Sequence, residues 1–153
     1  MNLAHVPSIA GRLNLLLNRF WRSRNSSEHL RRGAHGERLA GRFLRREHGY
    51  KILYRNFRGH RGGEIDLVCR DRDTLVFVEV KTRRREDFGR PVAAVDRKKQ
   101  RRIAQGGLAW LRLLDNPDIL FRFDVVEVII ADETKPRLEL IQNAFHLPTP
   151  YIY

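Results

Sequence analysis

Residues 62–85 read GGEIDLVCRDRDTLVFVEVKTRRR. Two runs rich in Val, Ile, Leu and Phe flank Arg72-Asp73, the pattern of an antiparallel β-hairpin with a two-residue turn. Four charged residues, Glu64, Asp66, Glu79 and Lys81, stand inside those runs, although Asp and Glu are poor strand formers. If Asp71 pairs with Thr74, Asp66 lands opposite Glu79 and Glu64 opposite Lys81, each pair on one face with Cβ atoms roughly 5 Å apart. A loop of odd length would send the two carboxylates to opposite faces. Adjacent carboxylates repel unless something neutralises them. A hard divalent cation such as Mg²⁺ or Mn²⁺ does so, using one or two carboxylates and leaving positions for water and phosphate oxygens. A lysine two residues from Glu79 adds positive charge without competing for the metal, an arrangement suited to phosphodiester cleavage. The competing reading is a sheet with one wet face that carries ordinary charge pairs.

Outward from the hairpin, residues 36–49, GERLAGRFLRREHG, predict a helix with Leu39, Ala40, Phe43 and Leu44 inward. Residues 50–58 predict a strand, followed by the basic, glycine-rich loop RGHRGG. After a polar loop from Thr82 to Arg90, Pro91 precedes a helix expected over Ala94–Leu114. Asn116-Pro117-Asp118 breaks the chain. Residues 121–132 form an apolar strand, and RLELIQ returns as a short final one. The order αβββαβ, with a further β at the end, predicts an α/β (α+β) domain in which helices flank a mixed sheet. It spans residues 33–145. Residues 1–32 form an N-terminal extension, amphipathic and basic over 6–22 with a polar linker after it, and 146–153 a short tail.

The chain carries 30 Lys+Arg against 18 Asp+Glu, a net +12. Ten of the basic residues fall between Lys81 and Arg102. Such concentration points to a polyanionic partner, nucleic acid or an anionic membrane surface. The single cysteine, Cys69, excludes an internal disulfide and fits a cytoplasmic protein. The apolar runs fall far short of the roughly 20 residues of a membrane span. One thiol and six histidines without ligand spacing do not make a zinc site.

Asp66 with Glu79-Val80-Lys81 thirteen residues on resembles the PD-(D/E)XK nuclease signature. The ordered set GERLAGRFL, GGEIDLV, FVEVKTR and the KKQRRI helix resembles the YraN-like family of small bacterial proteins over residues 34–145, a family similar in fold to archaeal Holliday-junction resolvases. The resemblance implies a restriction-endonuclease-like core and an endonuclease-like activity on DNA, branched or damaged DNA included. It implies Asp66 and Glu79 as metal ligands, the Val80 carbonyl as a third, and Lys81 as the catalytic lysine. It makes Glu37 the acid that approaches from the first helix, where a helix-start acid favoured by the dipole is the alternative. Gln100 matches a polar residue near such sites, and related resolvases imply a homodimer. Ile65 stands where the literal pattern has proline.

Arg83, Arg84, Arg85, Arg90, Lys98, Lys99, Arg101 and Arg102 follow the site in sequence and are expected to form a phosphate-binding rim, with Arg58, His60 and Arg61 beside it. A solvated charged face is the alternative. Asp124 is expected as a buried, hydrogen-bonded acid, and Trp21 and Trp110 as packing residues. Two rival functions stay open: a nucleic-acid-binding module that keeps the fold without cutting, and an interaction protein docked to a membrane surface through residues 6–22.

Overall fold

The computed structural model describes residues 28–60, 62–84, 95–131 and 134–149. The amphipathic stretch 6–22, Trp21, Arg61, Arg85 and Arg90 lie outside them. Seven elements follow in order: α1 (Glu28–Glu47), β1 (Lys51–Arg58), β2 (Glu64–Asp71), β3 (Thr74–Arg84), α2 (Arg97–Leu113), β4 (Phe121–Ala131) and β5 (Thr134–Phe145). The strands form one mixed sheet in the order β1-β2-β3-β4-β5. Only the β3–β4 contact is parallel, as it must be when a helix makes the crossover. This is the expected α+β architecture of a restriction-endonuclease-like core. The first helix starts at Glu28, so part of the stretch expected as linker is helical. The final strand has 12 residues rather than a short return, with Pro136 tolerated because β5 is an edge strand.

Each helix covers one face of the sheet. Ala40 and Leu44 of α1 pack with Leu67, Cys69, Val76, Val78, Val126 and Val128. Ile103, Ala104, Leu108 and Leu111 of α2 pack on the other face with Val68, Phe77, Phe123 and Val125. Trp110 is buried against Tyr54 and Phe57 and serves packing, as expected. Asp96 caps α2 by accepting the Lys99 N–H at 2.8 Å. A polar cluster ties the sheet to Tyr50, in the link between α1 and β1. Fully buried Asp124 accepts hydrogen bonds from the Tyr50 hydroxyl, Arg122 Nε and the Asn143 N–H, and Arg122 reaches on to Asp71.

The hairpin pairs as the two-residue turn requires, from Asp71↔Thr74 to Leu67↔Val78, with Arg72 at φ 52°. Beyond Leu67 the ladder ends, and simple alternation ends with it. Ile65 packs with Val68 on the α2 side, while Leu67 between them packs on the α1 side. On β1, Asn56 takes a left-handed φ of 53° beside this point, while the β1–β2 pairing continues on either side of it. The expected Asp66–Glu79 and Glu64–Lys81 oppositions are therefore both absent from the ladder, and Glu64 pairs across to Arg58 of β1 instead. The hairpin opens at the place where its charged residues begin.

Candidate active site

The opening of the hairpin sets the geometry of the acids. Val80 N–H donates to Asp66 Oδ2 at 2.7 Å, so a side chain satisfies a backbone group next to the end of the β2–β3 ladder. Glu79 is only 6% exposed, in a strand otherwise filled by Leu75, Val76, Phe77 and Val78. Burial and then the neighbouring Asp66 charge push its carboxyl up to about 8. Burial also raises Asp66, and the Val80 N–H and Lys99 offset part of that rise. Glu79 Oε2 is buried without a hydrogen-bond partner. Two buried carboxylates thus face one another with incomplete compensation.

Glu37 arrives from the opposite helix. Gly36 makes this possible, since a Cβ there would run into Thr82 Oγ1, and its absence lets α1 lie against β3. Burial and the Asp66 charge raise the Glu37 carboxyl, while a hydrogen bond from the Asn56 side chain opposes them. The strand irregularity at Asn56 therefore has a use at the site. Lys81 follows Glu79 by two residues on β3, partly buried, in register with Glu127 of β4.

Lys99, expected on the rim, has its ammonium among the acids. Its Nζ lies 2.8 Å from Glu64 Oε1 and 3.1 Å from Glu79 Oε1. Burial pulls this lysine down, but the bond to Glu64 and the Glu79 charge outweigh it and hold it above the ordinary range. Arg102 Nη2 binds the other Glu64 oxygen at 3.1 Å. Burial raises Glu64, and Lys99 and Arg102 outweigh that effect, leaving its carboxyl below the usual value. Arg83 is paired with buried Glu127 at 3.1 Å, while Lys98 and Arg101 are exposed. Arg84 lies in β3, and Gln100 donates to the Val95 carbonyl at 2.7 Å, an N-terminal contact of α2. Lys99 stands among the acids rather than on the expected rim, and Asn56 carries no signal in sequence, because both placements depend on which way a neighbouring element turns. The one signal in sequence was Glu64, an acid inside a strand, which the expected register paired with Lys81 rather than with Lys99.

Among the described residues no helix is long and apolar enough to cross a membrane. Residues 36–128 match the model of the family described as "Uncharacterised protein family UPF0102". A UPF0102 protein of Geobacter sulfurreducens is 50% identical over 115 residues, covering 75% of this chain and 88% of its own. One from Symbiobacterium thermophilum is 48% identical over 114 residues, covering 74% and 95%. One from Nocardia farcinica is 47% identical over 113 residues, covering 74% and 87%. Fold, ordered motifs and relatives agree: the chain belongs to the UPF0102 (YraN-like) family, a PD-(D/E)XK nuclease-like group.

Proposed function

We propose that this chain is a divalent-cation-dependent endonuclease acting on phosphodiester bonds of DNA, branched or damaged DNA among its substrates. The observation that carries this reading is Glu79, buried beside Asp66 at the point where the hairpin opens and two residues before Lys81. A protein that only binds nucleic acid gains nothing from paired carboxylates facing an anionic ligand. The donor set fits a hard cation. Glu79 Oε2 lacks a hydrogen-bond partner, and Asp66 and Glu79 oppose each other's ionisation. Among the described residues no group of three or more His, Cys, Asp or Glu side chains is placed to hold a metal ion. Mg²⁺ and Mn²⁺ do not require such a group, since water and phosphate oxygens complete their octahedron.

Asp66 and Glu79 would hold the ion, with the Val80 carbonyl as a third donor. When bound, the ion supplies Lewis-acid polarisation of the phosphoryl oxygen and a water of lowered pKa. Asp66 is oriented for this by the Val80 N–H. Lys81 places a positive charge where negative charge develops on the phosphate. Glu37, raised in pKa by burial, orients water from the α1 side. A homodimer would present two such sites.

The second reading is a nucleic-acid-binding protein that keeps the fold without cutting. Lys99 favours it, because its ammonium already neutralises Glu64 and Glu79. The two separate in one assay: a labelled four-way junction, matched duplex and single strand, each with Mg²⁺, Mn²⁺ or EDTA. Asp66→Ala and Lys81→Ala proteins run alongside. Cutting that needs metal and disappears in both variants supports the nuclease. Binding without cutting in either metal leaves the second reading standing.

A further inference from the structure

We infer that α1 carries a second polyanion-binding face, an arginine stripe that takes a nucleic-acid phosphate backbone. The inference rests on the reading of this chain as a protein that acts on nucleic acid, and it adds a surface separate from the acids and their rim. Arg31, Arg38, Arg42, Arg45 and Arg46 are all exposed. At 100° per residue they fall within an arc of roughly 100° on one side of the helix. At 1.5 Å per residue the stripe runs for roughly 22 Å, long enough to meet several successive phosphates. None of the five forms a salt bridge with a carboxylate among the described residues. Arg38 Nη2 lies 3.5 Å from His35 Nδ1, and Arg45 Nε donates to the Gly41 carbonyl at 3.3 Å. Arg38–Arg42 and Arg42–Arg46 are i,i+4 pairs of like charge, an unfavourable arrangement that a polyanion relieves.

The chemistry selects the occupant. All six basic residues of α1 except histidine are arginine, with no lysine. The guanidinium fork binds phosphate oxygens in pairs, whereas lysine acts as a point charge. A helix that lies on a membrane must offer an apolar face to the lipid. The apolar side of α1 is spent on the sheet: Ala40 and Leu44 are fully buried, with Leu39 and Phe43 packed beside them. The rim beside the acids is more neutralised, since Arg83, Lys99 and Arg102 are held by Glu127, Glu64 and Glu79. The five arginines of the stripe have no such carboxylate partner among the described residues. The stripe lies on the side of α1 away from the sheet, so a helix diameter (about 10 Å) separates it from Asp66 and Glu79, with only Arg38 of the five close enough to act on Glu37. The segment it grips is therefore not the one held at Asp66 and Glu79.

The test uses full-length protein in EDTA, so that binding is read without cleavage. Fluorescence anisotropy on a four-way junction and a matched duplex compares wild type with Arg38→Gln/Arg42→Gln/Arg45→Gln across a salt series. Sedimentation with phosphatidylglycerol vesicles runs in parallel, and thermal melting confirms that the exposed substitutions leave the fold intact. We expect DNA affinity to fall at least about tenfold, and the salt slope to shrink by about 2–3, one counterion contribution per lost phosphate contact. Vesicle binding should stay unchanged. Unchanged DNA affinity and slope would overturn the inference, and so would a loss confined to vesicles or a wild type that does not bind DNA. A wild type that binds through the stripe and never cuts would sink only the nuclease reading. One that cuts while the stripe variant binds normally would sink only the stripe.

Discussion

On the proposed reading, Glu79 is the residue on which the chemistry turns. Its raised carboxyl, near 8, keeps a proton in the folded protein that the unfolded chain releases near pH 4.5. Between those values the native state binds more protons than the unfolded one, so stability falls as pH rises. In EDTA, the melting temperature should decline from about pH 5 to about pH 8 and level off above, and Glu79→Gln should remove most of that decline. A slope unchanged in the variant would place the titration elsewhere. Lys99 is the second residue that decides behaviour at this scale. Its ammonium lies between Glu64 and Glu79, where it would compete with a divalent cation for Glu79. Lys99→Met should therefore tighten Mn²⁺ binding about tenfold by calorimetry while lowering metal-free stability at pH 8. Weaker Mn²⁺ binding would instead make Lys99 a support of the site.

At the scale of the elements, the site depends on how closely α2 meets β2. Gly63 lies against the backbone of Gly106, where an added Cβ would overlap the Gly106 nitrogen. No side chain at position 63 fits without moving the helix, and the helix carries Lys99 and Arg102 to Glu64. Overpacking of this kind costs about 1–3 kcal/mol. Gly63→Ala should lose stability in that range by urea denaturation. Because the rigid helix shifts as a unit, it should also loosen the Lys99–Glu64 contact, seen as a rise in the Glu64 carboxyl titration by NMR. Stability within 0.5 kcal/mol of wild type (roughly the scatter expected for neutral surface changes) would show that the contact relaxes freely. The cluster around Asp124 acts at the same scale in the opposite way. It fastens β4, β5 and Tyr50 of the α1–β1 link by hydrogen bonds at 2.8 to 3.0 Å, and so holds the far side of the sheet without entering the chemistry.

For the whole molecule, a net charge of +12 sets how it meets a polyanion. If rim and stripe together neutralise six or more phosphates, affinity for DNA should fall about 10³-fold or more between 50 and 200 mM salt. The fall should be alike for unrelated base sequences, since phosphate contacts carry no sequence information. A salt slope below about 2 would mean that most of these cations never touch the backbone.

The hairpin was legible in the sequence because a two-residue turn and a period of two leave a single register once the turn is located, and the ladder keeps that register from Asp71–Thr74 to Leu67–Val78. The helices and β4 were legible through their apolar periodicity, whereas Glu37, expected near a helix start, lies in mid-helix because α1 begins at Glu28. The end of the β2–β3 ladder at Leu67 was not legible, nor was the fate of Glu64. Strand alternation extrapolates without limit, whereas the real strands separate where Asn56 adopts a left-handed conformation and Asp66 takes the Val80 N–H. Lys99 could not be placed from the sequence either. Its position depends on the packing of α2 against Gly63 and on the rotation of that helix about its axis, both set by side chains far away along the chain. Local periodicity, turn length and charge were determined by the sequence itself. The meeting of four acids from three elements with one lysine was decided only by the tertiary structure, because burial and electrostatic compensation arise between segments that local pattern cannot relate.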